Sequence, residues 1–203
     1  MSAQPTQPMR VKWAATRHAN HRFLPGAGRR DPVRRARTSA DHPYRSLTKN
    51  YHYEIGLVAA LKSGGKHIPI EKALDHVFGY AIGLGMTRRD LQRATGDQKK
   101  PWEIGKSFDR SAPIGPIHPV ASTGHFTKGT ISLKVNGQIK QHADLSQMIW
   151  SVAEQISQLL QANELFAGDI IYSGAPENVG PVVVGDVMEG AIVGLPPLRL
   201  RIV

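Results

Sequence analysis

YHYEIGLVAAL, which runs from Tyr51 to Leu61, carries the alternation that is typical of a β-strand. With a period of two, one face carries Tyr51, Tyr53, Ile55, Leu57 and Ala59, and the other carries His52, Glu54, Gly56, Val58 and Ala60. We therefore predict a half-buried strand on which Glu54 and Gly56 need an explanation. Glycine weakens a strand unless another group approaches the backbone there or a side chain has been lost.

Strands and turns dominate the chain from Leu47 onward, and two predicted helices interrupt them. TISLKVNGQIKQ forms two alternating runs around Asn136-Gly137, a pair typical of a tight hairpin. Helical spacing predicts one helix in PIEKALDHVFGYAIG, through Ala73, Leu74, Val77 and Phe78. It predicts a second in DLSQMIWSVAEQISQLL, through Leu145, Ile149, Val152, Ile156 and Leu159 or Leu160, with Asp144 or Ser146 as N-cap.

The last third of the chain consists of short apolar runs separated by Gly-Asp pairs and prolines, with no helical period. Together with the elements before it, this pattern predicts an α+β fold with a few short helices and a mixed or antiparallel sheet that rolls up on itself.

Length and composition favour one core. The 203 residues are 40% hydrophobic and include no cysteine, which excludes disulfides, thiolate metal sites and cysteine nucleophiles. No apolar run approaches the ~18 residues of a membrane-spanning helix, and the N-terminus lacks the apolar segment of a signal peptide. We therefore expect a cytoplasmic protein without a membrane partner.

The positive charge is concentrated at the N-terminus. Residues 1–49 contain 11 Lys and Arg against two Asp, whereas the rest of the chain is close to neutral. We predict that residues 1–46 form a basic, irregular arm and that residues 47–203 form the folded domain. Such an arm could attract nucleic acid, but without interleaved aromatic residues or a known module we expect no nucleic-acid partner.

Five motifs occur together from about Leu47 to the end of the chain. They are LTKNYHYEIGLVAAL, ALDHVFGYAIGLGMTRRDLQ, PWEIGKSFDRSAPIGPI, LKVNGQIKQHADLSQMIWSVAEQIS and LFAGDIIYSGAPENVGPVVVGD. In order and spacing this set resembles the fumarylacetoacetate hydrolase family, and within it the fumarylpyruvate and acylpyruvate hydrolases. The resemblance implies a β-roll, a homodimer and a Mg²⁺ or Mn²⁺ ion that holds the oxygens of a β-diketo acid while a carbon–carbon bond is hydrolysed.

The metal ligands that the resemblance implies are largely missing. The family pattern is Glu-x-Glu on the strand, two carboxylates about 7 Å apart, followed by an Asp before the MTRRD motif. Glu54 occupies the first position, but Gly56 and Gly85 occupy the other two. Asp90 is the nearest alternative ligand. Without the resemblance, Glu54 would be a solvated carboxylate, Gly56 a bulge and Gly85 a turn.

The substrate side of the site is better preserved. The resemblance implies that Lys106 contacts the charge or developing enolate of the substrate, and that Arg89 and Gln92 orient its carboxylate or carbonyl. Ser173 and Gly174 stand where the family has a Thr-Gly-Thr-Pro cradle, with Ala175 in place of the second threonine. The alternative interpretations are a solvated lysine, a surface helix start and a tight Gly/Pro turn.

The family's lid is absent from the N-terminal arm. Relatives carry a His and a Glu one helical turn apart, whereas this chain has only His18 and His21 in TRHANHRF and no glutamate before Glu54. The two histidines could pair on a metal, although solvated side chains are the favoured interpretation.

Three functions stay open at this point. The first is a metal-dependent hydrolase of an acylpyruvate such as fumarylpyruvate, in aromatic-compound catabolism, with weak or absent activity. The second is a non-catalytic family member that keeps the fold without the metal. The third, a nucleic-acid binder, rests on charge alone.

Overall fold

A computed structural model describes residues 38–203. In this part of the chain the strands are β1 (Ser39–His42), β2 (Tyr51–Tyr53), β3 (Ile55–Leu61), β4 (Val77–Leu84), β5 (Thr87–Arg88), β6 (His118–Pro119), β7 (Thr130–Val135), β8 (Gln138–Asp144), β9 (Ile170–Tyr172), β10 (Gly180–Val182), β11 (Val187–Ile192) and β12 (Leu198–Ile202).

The helices are short. They are α1 (Ile70–Ala73), α2 (Arg89–Asp97), α3 (Val120–Thr123) and α4 (Val152–Ala162), with 3₁₀ turns at Leu74–His76, Glu103–Gly105 and Leu145–Gln147. None of the helices between residues 38 and 203 is long and apolar enough to cross a membrane.

Three sheets form the domain. Their strand orders are β1-β12-β11-β7-β8, β10-β2-β5 and β6-β4-β3-β9. β1 and β12 run parallel, and the remaining pairs of these strands are antiparallel. The predicted α+β class, with mixed sheets and a few short helices, is therefore confirmed.

The folded domain begins before the predicted boundary at residue 47. β1 lies inside the segment predicted to be irregular, and its residues pair with β12 from Ser39 opposite Arg199 to His42 opposite Ile202. A four-residue strand carries too little periodic signal to be recognised from the sequence. His18 and His21 lie outside the described residues.

The opening stretch forms two strands that meet at Glu54. Side chains alternate as predicted. Ile55 and Leu57 face the main apolar core, whereas Val58 points to the opposite face and lies next to Gly83 of β4. The prediction of a half-buried strand is wrong, because Tyr51–Leu61 is buried on both faces. On the second face the Tyr172 ring lies beside Gly83 and Val58, and the Gly174 carbonyl lies against Gly56.

The predicted hairpin is confirmed. β7 and β8 pair in antiparallel register around Asn136 and Gly137, whose φ angles are 49° and 79°. Positive φ at both central residues matches a type I′ turn, which only residues such as Asn and Gly adopt at low cost.

The first predicted helix is wrong over most of its length. α1 and the following 3₁₀ turn end at His76, and Val77–Leu84 forms β4, which pairs with β3 along its length. Tertiary pairing in the sheet therefore overrides the helical spacing of Val77 and Phe78, as it does for many short apolar runs.

The second predicted helix starts later than expected. α4 begins at Val152 with Ser151 as N-cap, and Ser151 and Glu154 form a capping box. Asp144 caps the separate 3₁₀ turn that precedes it, and Ile149 is exposed between the two. Val152, Ile156, Leu159 and Leu160 are buried as predicted.

Gly56 is explained by close approach of another backbone. A Cβ atom at this position would lie 2.7 Å from the carbonyl oxygen of Gly174, a distance that side chains do not tolerate. The alternative of a bulge at Gly56 is wrong, because Gly56 pairs with Gly83 in regular register. The strand and the Ser173–Gly174 segment therefore pack together only because residue 56 has no side chain.

Gly56→Ala should lower the free energy of unfolding by about 1–3 kcal/mol, because overpacking here displaces backbone. Gly96→Ala is the matched control, since Gly96 lies in α2 and a Cβ atom at this position would have no other group within 4 Å. That change should raise stability by up to about 1 kcal/mol. Urea unfolding measures both variants, and equal stabilities would contradict the steric account of Gly56.

Candidate active site

A buried carboxylate with two cations forms the centre of the site. Glu54 Oε1 accepts a hydrogen bond from Arg89 Nη2 at 2.6 Å, and Glu54 Oε2 accepts one from Lys106 Nζ at 2.9 Å. The side chains of Glu54, Arg89 and Lys106 are 4%, 11% and 15% exposed. We call these three residues the ion triad.

Local packing explains how Lys106 reaches Glu54 from a distant part of the chain. Gly105 ends a 3₁₀ turn that packs against α2, so closely that a Cβ at Gly105 would lie 2.8 Å from Gln92 Cα. Lys106 follows directly, and its ammonium also donates to Thr87 Oγ1 at 2.7 Å. The absence of a side chain at Gly105 therefore permits the approach that places Lys106.

The first turn of α2 supplies the other cation. Arg89 is the first residue of the helix, its backbone N–H donates to the carbonyl of Asn50, and its Nη1 donates to Gln92 Oε1 at 2.5 Å. Glu54, Arg89, Gln92 and Lys106 thus form one connected network. A surface helix start, the alternative for Arg89 and Gln92, does not describe these contacts.

The triad carries one positive charge in excess, because one carboxylate faces two cations. Burial lowers the pKa of Lys106, the Glu54 carboxylate opposes that shift, and Arg89 adds to it. An anion that enters the site would therefore relieve an electrostatic imbalance.

Asp90 has a structural use and does not join the triad. Its carboxylate accepts hydrogen bonds from the Thr48 hydroxyl at 2.5 Å and from the backbone N–H of Lys49 at 2.8 Å. Burial opposes ionisation, but these hydrogen bonds outweigh it and lower the pKa of Asp90. Asp90 fastens the segment before β2 to α2.

The residues of the site do not fit a divalent metal ion. Both oxygens of Glu54 are already paired with cations, and the Gly56 and Gly85 positions carry no carboxylate. Between residues 38 and 203 there is no group of three or more His, Cys, Asp or Glu side chains arranged to hold a metal. Mg²⁺ and Mn²⁺ prefer several oxygen ligands, and a single carboxylate that is already paired with cations does not replace such a set.

The two glycines differ in the space around them. The three heavy atoms nearest to a Cβ at Gly85 would belong to Glu54, at 3.8 Å or more, so the first side-chain atom of an aspartate would meet only ordinary van der Waals contacts there. A glutamate at position 56 would collide with the Gly174 carbonyl. A carboxylate can therefore be introduced more easily at position 85 than at position 56.

Ser173 and Gly174 lie beside Gly56, where a Cβ atom would lie 2.7 Å from the Gly174 carbonyl oxygen. The N–H of Ser173 donates to the carbonyl of Leu57 at 2.9 Å. The Ser173 hydroxyl is buried, and within the described chain it has no hydrogen-bond partner. Ala175 is buried and offers no hydroxyl. The structure thus places these residues next to β3.

Two further polar residues support the site. The Thr87 hydroxyl accepts a hydrogen bond from Lys106. Gln141 is fully buried, and its side-chain oxygen accepts a hydrogen bond from the N–H of Ile55. Its side-chain nitrogen donates to the carbonyls of Pro176 and Glu177. Neither residue was predicted from the sequence. A glutamine at an inward position of β8, opposite Leu133, was the available signal for Gln141.

Comparison with known proteins identifies the family. The family model for the C-terminal domain of fumarylacetoacetate (FAA) hydrolase matches residues 23–203. The chain belongs to this family. The predicted resemblance, which rested on motifs from Leu47 onward, is therefore confirmed.

Two branches of the fumarylacetoacetate hydrolase family appear among the relatives. The chain is 38% identical to a fumarylpyruvate hydrolase from a Ralstonia species, over 85% of this chain and 90% of that protein. It is 36% identical to the mitochondrial oxaloacetate tautomerase of Homo sapiens, over 77% of this chain and 71% of that protein.

Solved structures of the family share the fold. The fumarylpyruvate hydrolase of Pseudomonas aeruginosa, crystallised with Mn²⁺ and pyruvate, is 53% identical, with a TM-score of 0.80 over 81% of this chain and 71% of that one. A protein from Burkholderia cenocepacia described as a possible fumarylpyruvate hydrolase is 31% identical, with a TM-score of 0.81 over 100% and 93% of the two chains. The predicted β-roll of the family is thereby confirmed.

Glu54→Gln should destabilise the domain more than Lys106→Met. The first change leaves two buried cations without their carboxylate, at a cost of about 3–5 kcal/mol. The second removes the excess charge and leaves the Glu54–Arg89 pair, so we expect a loss of about 2 kcal/mol or less. Urea unfolding of both variants tests this order, and a larger loss for Lys106→Met would overturn the account of the excess charge.

Proposed function

We propose that this chain binds a small oxo acid of the fumarylpyruvate or acylpyruvate class at the ion triad, and that its hydrolysis of the carbon–carbon bond is weak or absent. The family and the fumarylpyruvate hydrolase relatives support the substrate class. The missing carboxylates at positions 56 and 85 support the loss of metal-dependent hydrolysis. In the P. aeruginosa relative the ligands are Mn²⁺ and pyruvate, a 2-oxo acid.

One observation carries the proposal, which is that a buried carboxylate faces two cations. Arg89 offers a planar guanidinium that suits a carboxylate, and Gln92 fixes its orientation. Lys106 offers a point charge to a carbonyl or enolate oxygen. A carboxylate ligand would balance the charge that Glu54 leaves uncompensated, so affinity requires no metal ion.

Side chains between residues 38 and 203 can orient a ligand, but none of those described at the site is free to act as a base for water. Glu54 is paired with both cations, and Asp90 is hydrogen-bonded away from the triad. Hydrolysis needs an activated water, whereas binding and polarisation of a carbonyl need only the cations. This difference favours the non-catalytic or weakly active alternative over an efficient hydrolase.

Keto–enol tautomerisation is the second candidate. The oxaloacetate tautomerase relatives suggest it, and one contact in this chain favours it: a buried Lys106 ammonium with a lowered pKa donates to Thr87 beside the excess charge. Tautomerisation moves a proton between carbon and oxygen and consumes no water.

The predicted homodimer, cytoplasmic location and absence of a nucleic-acid partner stay predictions.

Calorimetry with pyruvate in the presence of EDTA tests the proposal. We expect measurable binding by the unaltered chain and at least a tenfold loss in Arg89→Met and Lys106→Met, because each loses a charge-assisted contact. Arg93→Ala is the matched control, since Arg93 is an exposed arginine of α2. Equal affinity in all four proteins, or no binding by any, would refute the proposed site.

Mn²⁺ calorimetry separates the proposal from an ordinary metal-dependent hydrolase. We expect no Mn²⁺ binding by the unaltered chain, little by Gly85→Asp, and binding by Gly56→Glu/Gly85→Asp if that variant folds despite the Gly174 contact. Unfolding measurements report whether it does. Tight Mn²⁺ binding by the unaltered chain, together with fumarylpyruvate hydrolysis, would restore the hydrolase interpretation.

A further inference from the structure

A second group of cations lies behind the candidate active site. We call Arg45 and Arg88, which lie near the rings of Tyr51 and Phe108, together with the exposed Arg110, whose charge acts on His42, the arginine cluster. In the antiparallel register of β2 and β5, Tyr51 is opposite Arg88 and His52 is opposite Thr87. Because neighbouring strand residues point to opposite faces, Arg88 points away from the face on which Thr87 meets Lys106. The cluster is therefore separate from the ion triad.

Aromatic contacts hold the centre of the cluster. The Arg88 guanidinium lies 4.2 Å from the centroid of the Phe108 ring, and the Tyr51 and Phe108 centroids are 6.2 Å apart. The Tyr51 hydroxyl and His42 Nε2 share a hydrogen bond of 2.8 Å. Arg88 is 8% exposed. These contacts fix a guanidinium in a place where water reaches little of it.

Several donors of the cluster have no acceptor. Arg45 Nε and Nη2 and Arg88 Nε are buried, and within residues 38–203 they have no hydrogen-bond partner. The same holds for the hydroxyl of Ser111, whose backbone N–H donates to the carbonyl of Phe108 at 3.0 Å. The ion pairs of this part of the chain use Glu54, Asp75, Glu164 and Glu189, and none of them includes a cluster arginine. An arginine stays charged when buried, so unpaired donors of this kind are costly unless an anion meets them.

The surroundings of the cluster are positive. Burial lowers the pKa of His42 to about 4, and Arg45 and Arg110 lower it further in the same direction. Burial raises the pKa of Tyr51, whereas Arg45 and Arg88 oppose that shift. The neutral imidazole and phenol therefore add no negative charge. In the sequence, Asp41 lies next to His42 and Asp109 lies next to Arg110, but both aspartates are exposed to solvent.

We propose that the arginine cluster is a binding site for a small oxyanion of the phosphate class. A phosphate offers several acceptor oxygens and up to two negative charges, which matches the buried unpaired donor atoms of Arg45, Arg88 and Ser111. A monocarboxylate has two oxygens and one charge and leaves part of this set unsatisfied. The face opposite the ion triad thus carries an anion site of its own.

Thermal unfolding with inorganic phosphate at constant ionic strength tests the site. Phosphate that binds only the folded chain should raise the Tm, by an amount that grows with the logarithm of its concentration above the Kd. Arg88→Met and Arg45→Met should abolish the increase, and Arg93→Met, an exposed arginine outside the cluster, should retain it. Acetate at the same ionic strength should raise the Tm much less than phosphate.

Lys106→Met distinguishes this site from the ion triad. That variant should lose pyruvate affinity but keep the full response to phosphate, whereas Arg45→Met should do the reverse. If Arg88→Met fails to fold, Arg45→Met, a change at a partly exposed residue, still decides the question. The proposal is overturned if phosphate does not raise the Tm of the unaltered chain, if both cluster variants respond as it does, or if acetate matches phosphate.

Discussion

The pairing of Glu54 with Arg89 and Lys106 is the interaction on which the site depends. It joins the junction of β2 and β3, the first turn of α2 and the segment after Gly105, which are distant in sequence. A buried charge is tolerated only when partners compensate for its lost hydration. The three segments must therefore come together with these side chains in register, and the close packing of Gly105 on Gln92 is one condition for that.

The same pairing bears on the question of metal in this chain. A carboxylate that serves as counter-ion to two buried cations is a weaker ligand for a divalent ion, and the two positions that could add negative charge are glycines. A Cβ atom at position 85 would meet only ordinary van der Waals contacts, whereas a Cβ atom at position 56 would overlap the Gly174 carbonyl oxygen. The two missing carboxylates look equivalent in the sequence but differ in their surroundings. The space next to Gly85 is open, whereas the Gly174 backbone occupies the space next to Gly56.

Two groups of cations lie on opposite faces of the short sheet β10-β2-β5 and make both faces positively charged. On one face Glu54 compensates part of the charge, and on the other the buried donors of Arg45 and Arg88 meet no carboxylate of the described chain. Both faces favour anions for the same electrostatic reason. They differ in geometry, since the first presents an arginine fixed by Gln92 and the second presents arginines around aromatic rings.

The sequence by itself determined the α+β class, the Asn136-Gly137 hairpin, the family and the absence of two carboxylates, because these follow from local turn chemistry, period-two alternation and the order of motifs. Only the tertiary structure decided that Val77 and Phe78 belong to a strand, that β1 joins the sheet and that both faces of β3 are buried. Those outcomes depend on distant segments of the chain, which pair with these strands and bury their side chains. For the same reason, no local pattern could show that Glu54 is held by two cations, or that Gly56 lies against the Gly174 carbonyl.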